Sequence, residues 1–208
     1  MNIAILILAA GQATRMGGPN NHKLLAHLHD EPLVRHVARQ ALASTASTVT
    51  VVTGCRHDAI EAALVGLNLS TLHNPDYAEG MGRSLAAGMG APNLEQADGI
   101  LVMLADMPNI TARHLNILLD AFCACAGASV VRASSTGVPG HPVILPRALQ
   151  GALRNLRGDV GARDAIADSN LPVILVEIGS AALQDIDTVD HLLAAGGRLP
   201  SQTAIPSN

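Results

Sequence analysis

The sequence predicts a single α/β domain built mainly on parallel strands, and two observations carry that prediction. Short apolar runs rich in β-branched residues alternate with segments of helical period. Such strand–helix–strand units wind parallel strands through right-handed crossovers. No interior shift in composition across the 208 residues marks a second domain. We therefore expect one domain over residues 1–195 and a loose tail over 196–208, where Gly, Pro, Ser, Gln and Asn take over.

The elements follow in order. Residues 3–8 form a continuous apolar run suited to a strand buried on both faces. Residues 32–43 place Leu33, Val34, Val37, Ala38, Ala41 and Leu42 at helical spacing, with Pro in the first turn. A β-branched strand at 48–53 stops at Gly54, and a helical pattern resumes over 57–64. After a short strand at 69–72 come the turn residues Asn74, Pro75 and Asp76, then a glycine-rich start to a helix reaching Met89. Residues 99–104 are the most apolar strand of the middle section. Thr111 suits the cap of a helix to residue 124 that buries Leu115, Leu118, Leu119 and Phe122. A strand at 128–133 precedes a turn-rich segment at 137–142, a short strand at 143–145 and a helix over 146–156. A loop at 158–163 leads to another helix, then a strand at 173–178 and a last helix capped by Thr188.

Composition excludes several functions. With a net charge of -4 and no basic run, nothing steers the chain to nucleic acid or an anionic membrane. One Phe, one Tyr and no Trp leave no platform for stacking bases of a single strand. Residues 3–10 are too short to span a bilayer and lack the basic start of a secretory signal. Three cysteines, Cys55, Cys123 and Cys125, are too few for a disulfide framework and fit a reducing compartment, with Cys123 and Cys125 expected as buried thiols. The expected location is the cytoplasm.

The chemistry gathers at strand ends. Ala9, Ala10 and Gly11 let backbone N–H groups approach a ligand closely, and Arg15, Gly17, Gly18 and Lys23 follow in the same loop. This is the make-up of an anion cradle, although neither the P-loop nor the G-x-G-x-x-G fingerprint is present. Asp106, just past the strand at 99–104, either caps the following turn or faces that cradle. In the second case Mg²⁺ is the simplest mediator between carboxylate and phosphates, and a second ligand could come from the acidic cluster at 185–190. Acidic groups near a helix start also serve as caps and dipole partners.

Taken together, these motifs resemble a known family. Leu8-Ala9-Ala10-Gly11 with Arg15-Met16-Gly17 and Lys23-Leu24-Leu25, Asn74-Pro75-Asp76-Tyr77 through Met81, Leu104-Ala105-Asp106-Met107-Pro108, Gly140-His141-Pro142, Gly158-Asp159 with Gly161-Ala162-Arg163, and Ile186-Asp187-Thr188 resemble the MobA-like nucleotidyltransferases. Within them the chain looks most like the molybdenum cofactor cytidylyltransferases. The resemblance implies a Rossmann-like three-layer sandwich of the nucleotide-diphospho-sugar transferase type. It also implies a nucleoside triphosphate, CTP above others, bound with Mg²⁺ and a molybdopterin-type acceptor, with a molybdenum hydroxylase as a further partner.

Residue by residue, the resemblance assigns Leu8, Ala9, Ala10 and Gly11 to the phosphate loop, Thr53 and Asn74 to the nucleoside, and Lys23 to the phosphates. Arg15, Lys23 and Asp106 would be the catalytic set, Asp106 and Asp187 the metal ligands, and His141, Asp159 and Arg163 would face the acceptor. Relatives that use GTP commonly carry Leu-Ala-Gly-Gly, so Ala10 points to cytidine, its methyl narrowing the cleft for a pyrimidine. Two departures from the family's pattern stand out: Ala13 replaces a common Ser, and Asn20-Asn21-His22 lengthens the loop before Lys23. A non-catalytic delivery protein and a redox enzyme on the same scaffold are the readings from other classes, the second disfavoured by the missing dinucleotide fingerprint.

Overall fold

The structure, a computed structural model, describes residues 1–13, 22–156 and 161–199. Strand β1 (Ile3–Ala9) is followed by a two-residue hairpin, β2 (His27–Leu28) and β3 (Glu31–Pro32), and by α1 (Leu33–Leu42). Then come β4 (Val49–Thr53), α2 (His57–Leu64), β5 (Ser70–His73), α3 (Met81–Met89), β6 (Gly99–Leu104) and α4 (Ala112–Ala124). The chain continues through β7 (Val130–Ser135), β8 (Val138–Pro146), α5 (Gln150–Leu153), α6 (Ala162–Asp168), β9 (Val173–Glu177) and α7 (Val189–Ala194).

Seven strands form one sheet in the order β5-β4-β1-β6-β8-β7-β9. Only β8 runs against the rest, antiparallel to both β6 and β7. The alternation of side chains along β1 divides the core in two. Ile3, Ile5 and Ile7 pack with Val37 of α1, Ile60 of α2 and Leu118 of α4; Ala4 and Leu6 pack with Leu85 and Met89 of α3 and Leu153 of α5. Every second residue thus faces a different helix layer, which is why this run carries no polar residue. The expected α/β three-layer arrangement with a mostly parallel sheet is what the chain adopts.

Strand β1 lies between β4 and β6 and is parallel to both. The chain winds one way from β1 to β4 and β5 and the other way to β6. Connections therefore part at the carboxyl end of β1, opening a crevice there.

Capping fixes two helix starts. The Thr111 hydroxyl accepts from the His114 N–H, and the Thr111 N–H donates to His114 Nδ1, a reciprocal box at the head of α4. At the head of α7 the Thr188 hydroxyl accepts the His191 N–H, a one-sided cap.

Three sequence expectations are corrected. Residues 137–142 are not an extended turn: a tight turn with positive φ at Thr136 and Gly137 reverses the chain, and β8 begins at Val138. The prolines that suggested a turn are absorbed by a register shift between Arg132 and Ser134 of the neighbouring β7. The helix over 146–156 shrinks to Gln150–Leu153 preceded by a 3-10 turn at Arg147–Leu149. Cys123 is exposed on the outer side of α4, and only Cys125 is partly covered.

Arg198, inside the expected tail, exchanges both backbone hydrogen bonds with His27 at 2.8 Å, and its guanidinium donates to Asp30 at 2.8 Å. Residues 200–208 of that tail lie outside the described residues. Among the described residues no helix is long and apolar enough to cross a membrane.

Phe122, the largest fully buried side chain, anchors α4 against the sheet. It packs in the same layer as Ile3, Leu118 and Ile144, so its removal would leave a cavity in a close-packed core. Phe122→Ala should cost about 3–5 kcal/mol in urea unfolding; a cost below about 1 kcal/mol would mean that α4 is not held by this contact.

Candidate active site

The end of β1 and the loops beside it enclose a cleft of about 530 Å³ lined by Leu8, Ala10, Gly11, Lys23, Tyr77, Ser84, Asp106, Asp185 and Asp187 among others. Ala10 and Gly11 continue from β1, and the Ala10 carbonyl accepts the Cys55 N–H at 3.3 Å. Tyr77, the only tyrosine, packs beside Ala10 because Gly54 has no side chain. A Cβ there would lie 2.6 Å from the Tyr77 Cβ and 2.8 Å from that of Ala10.

Behind the first loop, His22 is buried and bonds through Nε2 to the Gly11 carbonyl at 3.0 Å. Burial holds its pKa below the usual histidine value, against the opposing influence of that hydrogen bond. Because a carbonyl only accepts, the neutral ring must carry its proton on Nε2.

Asn74 and Thr53 stand behind the cleft wall. Thr53 is fully buried and its hydroxyl donates to Glu61 at 3.1 Å. Asn74 is also buried; its Nδ2 donates to Ser84 Oγ and its Oδ1 accepts the Asp76 N–H, both at 3.1 Å. Arg83 closes the same loop by pairing with Asp76 at 2.6 Å and Glu79 at 3.0 Å. The wall that carries Tyr77 and Ser84 is therefore braced from behind. Ala9, by contrast, points into the core beneath α1 and does not line the cleft.

At the floor, three acidic residues converge. Asp106 follows β6, and its backbone carbonyl accepts the Ile186 N–H at 2.9 Å, which draws the Asp185–Asp187 strip against it. One oxygen from each of Asp106, Asp185 and Asp187 lies within 4.8 Å of the other two. Lys23 lies between them: its Nζ is 2.5 Å from Asp106 Oδ2 and 2.8 Å from Asp187 Oδ1. Burial alone would pull the lysine pKa down, but attraction and hydrogen bonding from Asp106, then from Asp187, outweigh it and raise the pKa above its usual value.

The donor set suits a hard divalent cation. All three candidate ligands offer carboxylate oxygen, the type that Mg²⁺, Mn²⁺ and Ca²⁺ prefer. Asp106 Oδ1 is buried with no hydrogen-bond partner, a costly arrangement unless a cation uses that lone pair. Asp185 was not singled out as a ligand from the sequence; the Asp-x-Asp spacing, which puts two carboxylates on one side of an extended strip, is the signal that points to it.

A basic flank adjoins this floor. Arg132 of β7 donates from Nε to the Gly140 carbonyl at 2.9 Å. Burial and then the charge of Arg163 draw its pKa below the usual value. Arg163 is exposed on α6. His141 lies on β8, its Nδ1 buried without a partner. Burial, then repulsion from Arg132, push its pKa down to about 4, against the pull of Asp185. Two of the residues expected to take part, Arg15 and Asp159, lie outside the described residues.

The MobA-like NTP transferase domain family matches residues 5–173 of the chain. Purine catabolism protein PucB of Bacillus subtilis strain 168 is 30% identical over 89% of this chain and 92% of its own. Nicotine blue oxidoreductase of Paenarthrobacter nicotinovorans is 28% identical over 90% and 93% respectively. The bifunctional protein GlmU of Leifsonia xyli subsp. xyli is 29% identical, but this chain spans only 38% of its length. Among solved structures, Rv0371c of Mycobacterium tuberculosis H37Rv superposes with a TM-score of 0.80 at 24% identity, covering 93% of this chain and 96% of that one. A nucleotidyl transferase from Methanothermobacter gives 0.77 at 21% identity over 93% and 95%. The fold is the nucleotide-diphospho-sugar transferase type expected from the sequence.

The His141 shift sets a pH dependence. Above about pH 6.5 the ring is neutral folded or unfolded. Between about 6.5 and 4 only the unfolded chain takes up the proton. Unfolding free energy should therefore decrease as pH is lowered from about 6.5 to about 4, and His141→Gln should flatten the curve there; an unchanged slope in the variant would place the proton uptake elsewhere.

Proposed function

The chain belongs to the MobA-like NTP transferase family, and on that premise we propose that it transfers CMP from CTP to the terminal phosphate of molybdopterin carrying molybdenum. A phosphate oxygen of the acceptor attacks the α-phosphorus, a new P–O–P linkage forms, and the bond to the β-phosphate breaks to release pyrophosphate. Such a reaction needs no protein nucleophile; it needs alignment and neutralised charge.

The observation that carries this reading is the meeting of Lys23, Asp106 and Asp187 beside Ala10 and Gly11 at the carboxyl ends of β1 and β6. Backbone N–H groups at Ala10 and Gly11 would cradle phosphate oxygens, with Arg15 and Lys23 offsetting charge on the leaving pyrophosphate. Asp106 and Asp187, joined by Asp185, would hold the divalent ion, with Mg²⁺ as the physiological choice. Bound there, the ion would supply Lewis-acid polarisation of the phosphoryl oxygens. A manganese complex of Rv0371c has a TM-score of 0.76 to this chain, which supports a divalent-ion site in this fold.

His141, Asp159 and Arg163 would face the acceptor, and Arg132 is near enough to His141 and Arg163 to add its charge there. A neutral His141 can accept or donate one hydrogen bond without adding charge to that flank. Ala10 and Tyr77 form the wall where the base would lie, and the Ala10 methyl favours the smaller pyrimidine. Guanylyl transfer, a different phosphorylated acceptor, and a delivery role towards a molybdenum hydroxylase without catalysis are the alternatives. The name of one relative raises redox chemistry, but the sequence lacks the G-x-G-x-x-G dinucleotide fingerprint.

Pyrophosphate release with each of the four triphosphates, Mg²⁺ and molybdopterin acceptor tests the reading. Turnover should be fastest with CTP, and Lys23→Ala or Asp106→Ala should lower it about 10²–10³-fold while circular dichroism stays native; near-normal turnover in either variant would sink the assignment. Ala10→Gly should shift the preference towards GTP, and an unchanged ratio of kcat/KM values for CTP and GTP would count against the methyl as the base selector.

A further inference from the structure

Lys23 is the only lysine in the chain, the other twelve of its 13 basic residues being arginines. It stands where the metal is needed: its ammonium touches two of the three carboxylates proposed as ligands, at 2.5 and 2.8 Å, and all three offer oxygens within 4.8 Å of one another. A divalent ion binds carboxylate oxygens at about 2.0–2.6 Å. It would therefore compete for the same oxygens at nearly the same point, with strong repulsion from an ammonium left in place.

We propose that Lys23 is a resident counter-ion that fills the metal's place in the nucleotide-free protein and moves to the triphosphate when the divalent ion enters. The inference rests on the nucleotidyl-transfer reading above. Three carboxylates this close repel one another unless a cation joins them, so Lys23 keeps the site assembled before substrate arrives. The buried, unpartnered Asp106 Oδ1 shows that the ammonium does not saturate the site, leaving an oxygen for a cation with more coordination positions.

The side chain itself suits the exchange. An ammonium is a compact charge on a flexible four-carbon stem, close in shape to a small ion and free to swing, whereas a guanidinium is a planar fork. A chain that otherwise uses arginine thus carries lysine at the one position where a cation must stand in for a metal and then leave. Metal and triphosphate enter as a pair: the ion frees Lys23, and the freed Lys23 meets the phosphates.

The test begins without nucleotide or acceptor. Mn²⁺ is titrated into the full chain and the free ion followed by electron paramagnetic resonance, for wild type and Lys23→Met. The variant should bind one Mn²⁺ at least about 10-fold more tightly than wild type, and adding Asp187→Asn to it should abolish that gain. Equal or weaker binding by Lys23→Met would overturn the proposal.

A second measurement uses wild type alone, in case the variant does not fold. Lysine labelled with ¹³C at Cε gives a single side-chain resonance, which should move saturably with Mg²⁺ and CTP together; a resonance unmoved by the pair would also overturn it. Because the Mn²⁺ titration contains no triphosphate, tightened binding in a chain that transfers no nucleotide refutes the transfer reading, whereas normal transfer with no tightening refutes the exchange.

Discussion

The site depends on one electrostatic arrangement, the ammonium of Lys23 held between Asp106 and Asp187. The two hydrogen bonds join residues 83 and 164 positions apart in sequence, so they tie the first loop to the middle and to the end of the domain at once. Like charges at this spacing are tolerated in a partly covered cleft only with a cation among them. The same pairing fixes the cleft's floor and determines which chemistry it can host.

The sheet is what brings those segments together. With β1 between β4 and β6, the loop after β1 and Asp106 after β6 open on the same edge. The antiparallel β8 adds a second function to the frame. It carries His141 near Arg132 of β7 and near enough to Asp185 to feel its charge, although neither His141 nor Arg132 lines the cleft itself.

Much of this could be read from the residues. The apolar run of β1, the cap at Thr111 and the strand at Gly99–Leu104 carry local signals strong enough to specify their elements. The segment over 137–142 misled because its prolines and glycines describe a turn, while the fold uses them in a strand whose neighbour shifts register to suit. Cys123, in the last turn of α4, is exposed, whereas Cys125, just past the helix end, is partly covered and donates its thiol to the Phe122 carbonyl.

In the site, Asp106 is legible as a carboxylate just past a buried strand, Lys23 as a cation in the glycine-rich loop after the first strand, and Asp187 through the resemblance of Ile186-Asp187-Thr188 to the family's motif. His22 did not: its role comes from a hydrogen bond to Gly11 across a loop whose path no local pattern specifies. Thr53 and Asn74 are partly legible, since their types suit polar contacts, but their partners, Glu61 and Ser84, are set by packing rather than by spacing.

The proposed chemistry joins a nucleotide to a phosphorylated acceptor in this cleft. Mass analysis of the product formed from the full chain, Mg²⁺, molybdenum cofactor and an equal mixture of the four triphosphates addresses it most directly. The expected product is a cofactor heavier by one cytidylyl group with an equal amount of pyrophosphate; an unmodified cofactor with all four triphosphates intact would contradict nucleotidyl transfer.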